Sequence, residues 1–347
     1  MGFRTSLKTS RLGRRSACDR CSCRRSLPDD NAGNSAVAFV AANRRILLAA
    51  ILICVSSTGL AQTTLIAAKE SVHLWPARAP FSTADTPADV PSIDVYQPAS
   101  NPTRTGVLIC PGGGYSYVSF DNEGLPIARW LTQRGVAAFV LHYRVAPYRY
   151  PAPLLDGERA LRLIRSRAND FGLSPAHIGV WGFSAGGHIA STLMTHFDQM
   201  LPGTEGAKQD AIDKMSDRPD FGILAYAVIS MMPGITHLTS HEKLLGNPAD
   251  AEREMELSNE RHVRIDSPPA FLFSTTDDAT VPVANSLLFY RAYVSKHLPV
   301  EMHLYEHGEH GVGLAKGLPG VQAWPDQLQA WMQIHGWMAP APERGIE

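Results

Sequence analysis

The chain has 347 residues, 44% hydrophobic and 19% charged, a globular composition with enough length for one large domain or two small ones. Ten of its 32 basic and three of its 33 acidic residues lie in the first 61, so the remainder carries 22 against 30, a charge of about −8. A mildly acidic body without a basic run argues against a nucleic-acid partner. At the front, Arg44-Arg45 precedes the ten-residue apolar run Ile46 to Val55 and the small residues Ser56 to Ala61, the pattern of a secretory signal cut after Ala61. Ten apolar residues are too few to span a bilayer, so no stable membrane span is expected in the mature chain. Ile53 before Cys54 is bulky where an acylation site needs a small residue. Met1 to Asn43 form an upstream extension whose Cys18, Cys21 and Cys23 are half a zinc pattern without a second half. The expected organisation is residues 1–61 as extension plus signal and 62–347 as a single domain, secreted or periplasmic. Its one remaining cysteine, Cys110, permits no internal disulfide.

Gln62 to Pro102 is proline-rich, with short strands expected near Val72 to Trp75 and Ile93 to Tyr96 as an edge hairpin or meander. Thr105 to Cys110 is a continuous apolar run of the buried-strand type and stops at Pro111-Gly112-Gly113-Gly114-Tyr115. A helix follows over about Gly124 to Arg134, a strand over Val136 to Tyr143, and a second helix over about Leu154 to Asn169. The five arginines from Arg144 to Arg165 read as a mostly solvated face. Ile178 to Trp181 is the next strand; it meets Gly182-Phe183-Ser184-Ala185-Gly186, after which Ile189, Ala190, Leu193, Met194 and Phe197 recur at helical spacing. After a polar loop over Leu201 to Pro219, Phe221 to Ile229 is an apolar strand. Residues 230–267 break the rhythm, with a short helical piece near Ala249 to Arg261, and read as a cap or lid. Strand Phe271 to Ser274, helix Val283 to Lys296, strand Val300 to Tyr305 and helix Trp324 to His335 complete the chain. The alternation calls for an α/β fold with a mainly parallel central sheet and helices on both faces.

Gly-x-Ser-x-Gly between a strand and a helix is the nucleophile elbow, where a serine occupies a strained turn that only small neighbours allow to close. Ser184, the Asp277-Asp278 pair and His310 each fall just past the end of an expected parallel strand, in the chain order of the α/β-hydrolase arrangement. A serine hydroxyl needs an imidazole to take its proton and a carboxylate to orient that imidazole. The oxyanion donors expected are the Ala185 N–H and one or two from Gly112 and Gly113. Tyr115 and Glu123 lie near this loop and are read as pocket-lining, with packing as the alternative. His303, His307 and His310 have metal-like spacing, but a strand alternates its faces and His310 already has a role, so no metal is expected. His188, on the helix after the elbow, reads as a core histidine.

Pro-Gly-Gly-Gly-Tyr at 111–115, Tyr-Arg-Val-Ala-Pro at 143–147, Gly-Phe-Ser-Ala-Gly-Gly-His at 182–188, Asp-Asp-x-x-Val-Pro at 277–282 and His-Gly-x-His-Gly at 307–311 together resemble the esterase/lipase branch of the α/β-hydrolases. The resemblance is strongest to bacterial acetyl-xylan and feruloyl esterase-like proteins and covers nearly all of Thr105 to Trp337. The chain departs from the hormone-sensitive-lipase pattern at Pro111, where that group has histidine. The resemblance implies a serine carboxylesterase that needs no cofactor and acts on a small-molecule or polysaccharide ester through an acyl-enzyme. Counting back from Val281-Pro282 in the Asp-x-x-Val-Pro setting of such proteins gives Asp278 as the acid, with Asp277 the alternative. Rival readings are a peptidase of the prolyl-oligopeptidase type, against which counts the lack of a propeller-sized N-terminal domain, and a binding protein on an inactive hydrolase scaffold.

Overall fold

The computed structural model describes residues 67–199, 201 and 209–340; the extension and the signal segment lie outside them. Eight strands form one sheet: β1 (Glu70–His73), β2 (Ser92–Tyr96), β3 (Gly106–Cys110), β4 (Ala137–His142), β5 (Ile178–Phe183), β6 (Gly222–Ala225), β7 (Ala270–Thr275) and β8 (Val300–Tyr305). Their order is β1-β2-β4-β3-β5-β6-β7-β8, with β1 and β2 antiparallel at one edge and every pair from β4 to β8 parallel. The continuous apolar strands follow from this placement. In β3, Leu108 and Cys110 enter one core while Val107 and Ile109 enter the other; Val180 and Trp181 of β5 divide the same way.

Helices cover both faces. On one, α2 (Ala152–Ser166), α3 (Ser184–Thr195) and α6 (Ala284–Ser295) contribute Leu161, Ile189, Leu193 and Phe289. On the other, α1 (Leu125–Thr132) and α7 (Trp324–Ile334) contribute Ile127, Leu131, Trp324 and Trp331 around Trp181 and Phe183. Because β3 to β8 all run parallel, the loops after β3, β5, β7 and β8 leave from the same sheet edge and converge.

Three elements depart from the sequence expectation. β6 stops at Ala225, four residues early, because Tyr226 takes a left-handed φ of 38° and turns the chain off the sheet. Residues 230–267 hold two helices, α4 (Leu238–Leu245) and α5 (Ala251–Glu256), in place of one. Gly246, at φ 91°, ends the first, and the Asp250 side chain caps the second by accepting the Glu252 N–H. The segment is pinned to the body: Asn285 of α6 accepts the Ile229 and Ser230 N–H groups, both at 2.9 Å, and donates to the Ile235 carbonyl at 2.8 Å.

Arg144 and the arginines of α2 are also not on a solvated face. Arg144 and Arg159 are each 2% exposed; Arg144 forks onto the buried Asp156, and Arg159 onto Asp210 and Asp213 at 2.6 Å. Arg162 meets Asp217 at 3.1 Å and Arg165 meets Asp220 at 3.2 Å. The aspartates of the polar loop before β6 lie against the helix, and their charge makes the burial of the guanidinium groups tolerable. Among the described residues no helix is long and apolar enough to cross a membrane.

Candidate active site

Ser184 sits where β5 turns into α3, with φ 49°, a left-handed conformation that costs a non-glycine residue energy. Its neighbours explain how the turn closes. A Cβ on Gly186 would lie 2.0 Å from the Cys110 carbonyl oxygen, and one on Gly182 2.5 Å from the Gly186 carbonyl oxygen. Only glycine fits at either position.

From the loop after β8, His310 reaches back so that its Nε2 lies 2.8 Å from Ser184 Oγ, while its Nδ1 lies 2.7 Å from Asp278 Oδ2. An ionised carboxylate only accepts, so Nδ1 carries the proton and Nε2 offers its lone pair to the hydroxyl. The other Asp278 oxygen accepts the N–H groups of Thr280 and Val281, at 2.8 and 2.9 Å. Burial pushes the Asp278 pKa up, but the bond from His310, the two backbone bonds and the imidazole charge together outweigh it, and the net shift is down. Asp277 points elsewhere: it accepts from His307 Nδ1 at 3.0 Å and from the Gly308 N–H at 2.8 Å. The structure thus brings Ser184, His310 and Asp278 into one hydrogen-bonded chain and leaves Asp277 outside it.

The glycine loop after β3 lies against the serine, since a Cβ on Gly112 would be 2.7 Å from Ser184 Cβ. Gly112 is not available as an oxyanion donor, because its N–H already donates to Glu123 Oε2 at 2.8 Å. Its carbonyl accepts the Ser119 N–H at 3.0 Å. Across a trans peptide the next N–H points the opposite way, so the Gly113 N–H is turned from this anchor and meets no acceptor among the described residues. The Ala185 N–H, in the first turn of α3, is likewise without one. Gly113 and Ala185 are the two donors the geometry leaves open.

Tyr115 does not line a pocket. Its φ of 57° sends the ring into the core, where it is fully buried, and its hydroxyl lies 2.9 Å from His188 Nδ1. His188 Nε2 donates to the Leu257 carbonyl at 2.8 Å, which makes Nδ1 the acceptor for the tyrosine. Burial, only partly offset by the Leu257 carbonyl, drives His188 down to about 4, so it is a neutral core histidine. The aromatic ring this loop does expose is Tyr117, two residues on and 62% exposed.

Two contacts of the site have no sequence signal. Tyr226, just past β6, packs edge-on against His310 with ring centroids 5.1 Å apart, and its hydroxyl donates to Glu123 Oε1 at 2.8 Å. His237, from the segment after β6, has its Cε1 3.7 Å from where a Gly114 Cβ would stand. Burial and the His310 charge push its pKa down. His303 and His307 pair with Glu301 and Asp277, and among the described residues no group of three or more His, Cys, Asp or Glu could hold a metal ion. Chemically, the arrangement can move a proton from a serine hydroxyl to an imidazole and receive an oxyanion at two backbone donors.

Comparison with known proteins places these features in a family. The BD-FAE family profile matches residues 93–293, a stretch that includes Ser184 and Asp278 and ends before His310. The chain is 32% identical over 247 residues to the acetylxylan esterase of Xylanibacter ruminicola, covering 70% of this chain and 47% of that protein. It is 35% identical over 231 residues to endo-1,4-beta-xylanase B of Butyrivibrio fibrisolvens, covering 65% and 35% respectively. The chain therefore spans half or less of the length of these two relatives. Among solved structures, the acetyl ester-xyloside bifunctional hydrolase from Caldicellulosiruptor lactoaceticus superposes with a TM-score of 0.71 at 37% identity, over 79% of this chain and 99% of that one. The carboxylesterase Cest-2923 from Lactobacillus plantarum gives a TM-score of 0.59 at 26% identity, over 76% and 99%.

Proposed function

Because the chain belongs to the BD-FAE family and has the α/β-hydrolase fold, we propose that it is a serine carboxylesterase that removes small acyl groups, acetyl or hydroxycinnamoyl, from carbohydrates such as xylan. The observation that carries the reading is the hydrogen-bonded chain from Ser184 through His310 to Asp278, set on a strained turn beside two N–H groups without acceptors. His310 Nε2 takes the Ser184 proton as Oγ attacks the ester carbonyl, and the oxyanion is received by the Gly113 and Ala185 N–H groups. The imidazolium, steadied by Asp278, returns the proton to the leaving sugar oxygen, and a serine ester remains. Water, deprotonated by the same histidine, then releases the acid and restores the serine. The steps need only the chain, the ester and water.

The carbohydrate ester is favoured over other esters by the names of the relatives, an acetylxylan esterase and an acetyl ester-xyloside hydrolase. Export is part of the same proposal and is supported by the order of Arg44-Arg45, the apolar run and Ser56 to Ala61. The test measures acetate release from acetylated xylo-oligosaccharides beside cleavage of a proline anilide. The expected result is sustained acetate release with kcat/KM at least about a hundredfold above that for the anilide. Faster anilide cleavage, or no acetate, would reject the esterase reading.

A further inference from the structure

One buried acid at the site has no part in the steps above. Glu123 is 3% exposed and lies in the single π-helical turn Phe120–Gly124 that leads into α1. Its two oxygens reach opposite sides of the site. Oε2 takes the Gly112 N–H of the Pro111–Gly112 peptide, one peptide ahead of the Gly113 N–H, which meets no acceptor among the described residues. Oε1 takes the Tyr226 hydroxyl, whose oxygen also accepts the Gly313 N–H at 3.0 Å and whose ring backs His310. The ionised carboxylate satisfies this pattern with both oxygens as acceptors, and the Ser119 side chain is a further partner. Leaving a charge so deep without a cation in contact is costly, and burial outweighs the pull of Gly112, Tyr226, the His310 charge and Ser119, so the acid is shifted up from its ordinary range.

We propose that Glu123 is a positioning residue of this site: its side chain anchors the Gly112 N–H one peptide ahead of the Gly113 donor and, through Tyr226, holds His310 against Ser184, and in its ionised form it sets a second negative charge behind the ring. The inference rests on the serine-esterase reading above. The titratable or polar groups facing His310 are then Asp278 from the loop after β7, Ser184 of α3, Tyr226 after β6, Glu123 ahead of α1 and His237 ahead of α4. Of these, Asp278 and Glu123 supply negative charge for the imidazolium that forms while the proton is in transit.

The experiment uses the full chain with E123Q and Y226F, assayed on 4-nitrophenyl acetate across pH with melting followed in parallel. Glutamine keeps the volume and an acceptor for Gly112 but removes the charge and the acceptor for Tyr226. E123Q should lower kcat by about 10- to 100-fold with KM within about threefold, and should move the acid limb of kcat/KM to lower pH by at least about 0.3 unit, because the imidazolium loses a favourable charge. Y226F should lower kcat by about 5-fold and leave the limb in place, since Glu123 keeps its charge. Wild-type kcat in both variants overturns the proposal, as does an E123Q whose loss of activity only tracks loss of folded protein while its limb stays fixed. If S184A keeps its activity the esterase reading itself has failed; if S184A is inactive and E123Q behaves as wild type, only the present inference has.

Discussion

Adjacent aspartates separate two jobs. Asp278 is 9% exposed and holds the imidazole, whereas Asp277 is exposed and braces His307 and Gly308. D278N presents an amide to Nδ1 and favours the wrong histidine tautomer, so kcat should fall about 10⁴-fold with the fold retained. D277N loses only an exposed loop contact and should stay within about threefold of wild type. Side-by-side kinetics of the two variants decide it, and the reverse pattern would show that the acid is Asp277. Ser184, Asp278 and His310 were visible in the sequence because each sits in a short motif at a strand end. Gly112 and Tyr115 were misread because what decides them is not local: one N–H is claimed by an acid eleven residues on, and one ring is turned inward by a left-handed backbone.

At the scale of elements, the elbow and the segment after β6 depend on close approaches that periodicity cannot report. Gly186→Ala would drive a methyl into the Cys110 carbonyl, a rigid backbone contact, and should destabilise by more than about 3 kcal/mol, read as loss of soluble protein or of cooperative melting. Survival of G186A with a wild-type Tm would mean that the turn is looser than described. Asn285→Ala would orphan the Ile229 and Ser230 N–H groups and the Ile235 carbonyl, and should cost about 2–4 kcal/mol in urea unfolding. A cost below about 1 kcal/mol would show that the segment is not held through α6. Most strands and helices were legible because burial on both faces of a parallel sheet leaves continuous apolar runs and one-sided helix stripes. The early end of β6 and the split of the cap into two helices were not, because each rests on one residue's φ or one cap.

Over the whole molecule, the excess of acid outside the first 61 residues is partly spent on buried arginines. The sequence shows the arginines of α2 and the aspartates before β6 as two polar stretches, and only the fold pairs them. Stability against pH follows from the buried histidines. Burial pushes His188 and His196 each down to about 4, helped at His196 by the charge of His262. The unfolded chain takes up these protons near pH 6.5 and the folded chain only near 4, so stability is lost as pH falls between those values, by up to about 3 kcal/mol from His188 alone. Glu158, raised by burial and by Asp217, works in the opposite sense, as do Glu123, Asp156, Asp217 and Glu260, each raised first by burial. Below about pH 4 the loss continues, because Asp278 and Asp210 are held below the ordinary carboxylate range and lose their folded-state advantage as they protonate. Calorimetry should show that the fall in Tm between about pH 6.5 and 4.5 is smaller, or the rise larger, in a His188→Gln variant than in wild type, and an identical pH dependence in the two would contradict the assignment of a neutral buried His188.

The central claim is that Ser184 carries the acyl group. The direct measurement is acid quenching during steady turnover of 4-nitrophenyl acetate, followed by peptide mapping by mass spectrometry. One acetyl group on the peptide containing Ser184, absent in S184A, is the predicted result; continued turnover with no acetyl on Ser184, or with the acetyl on another residue that S184A still acquires, would contradict it.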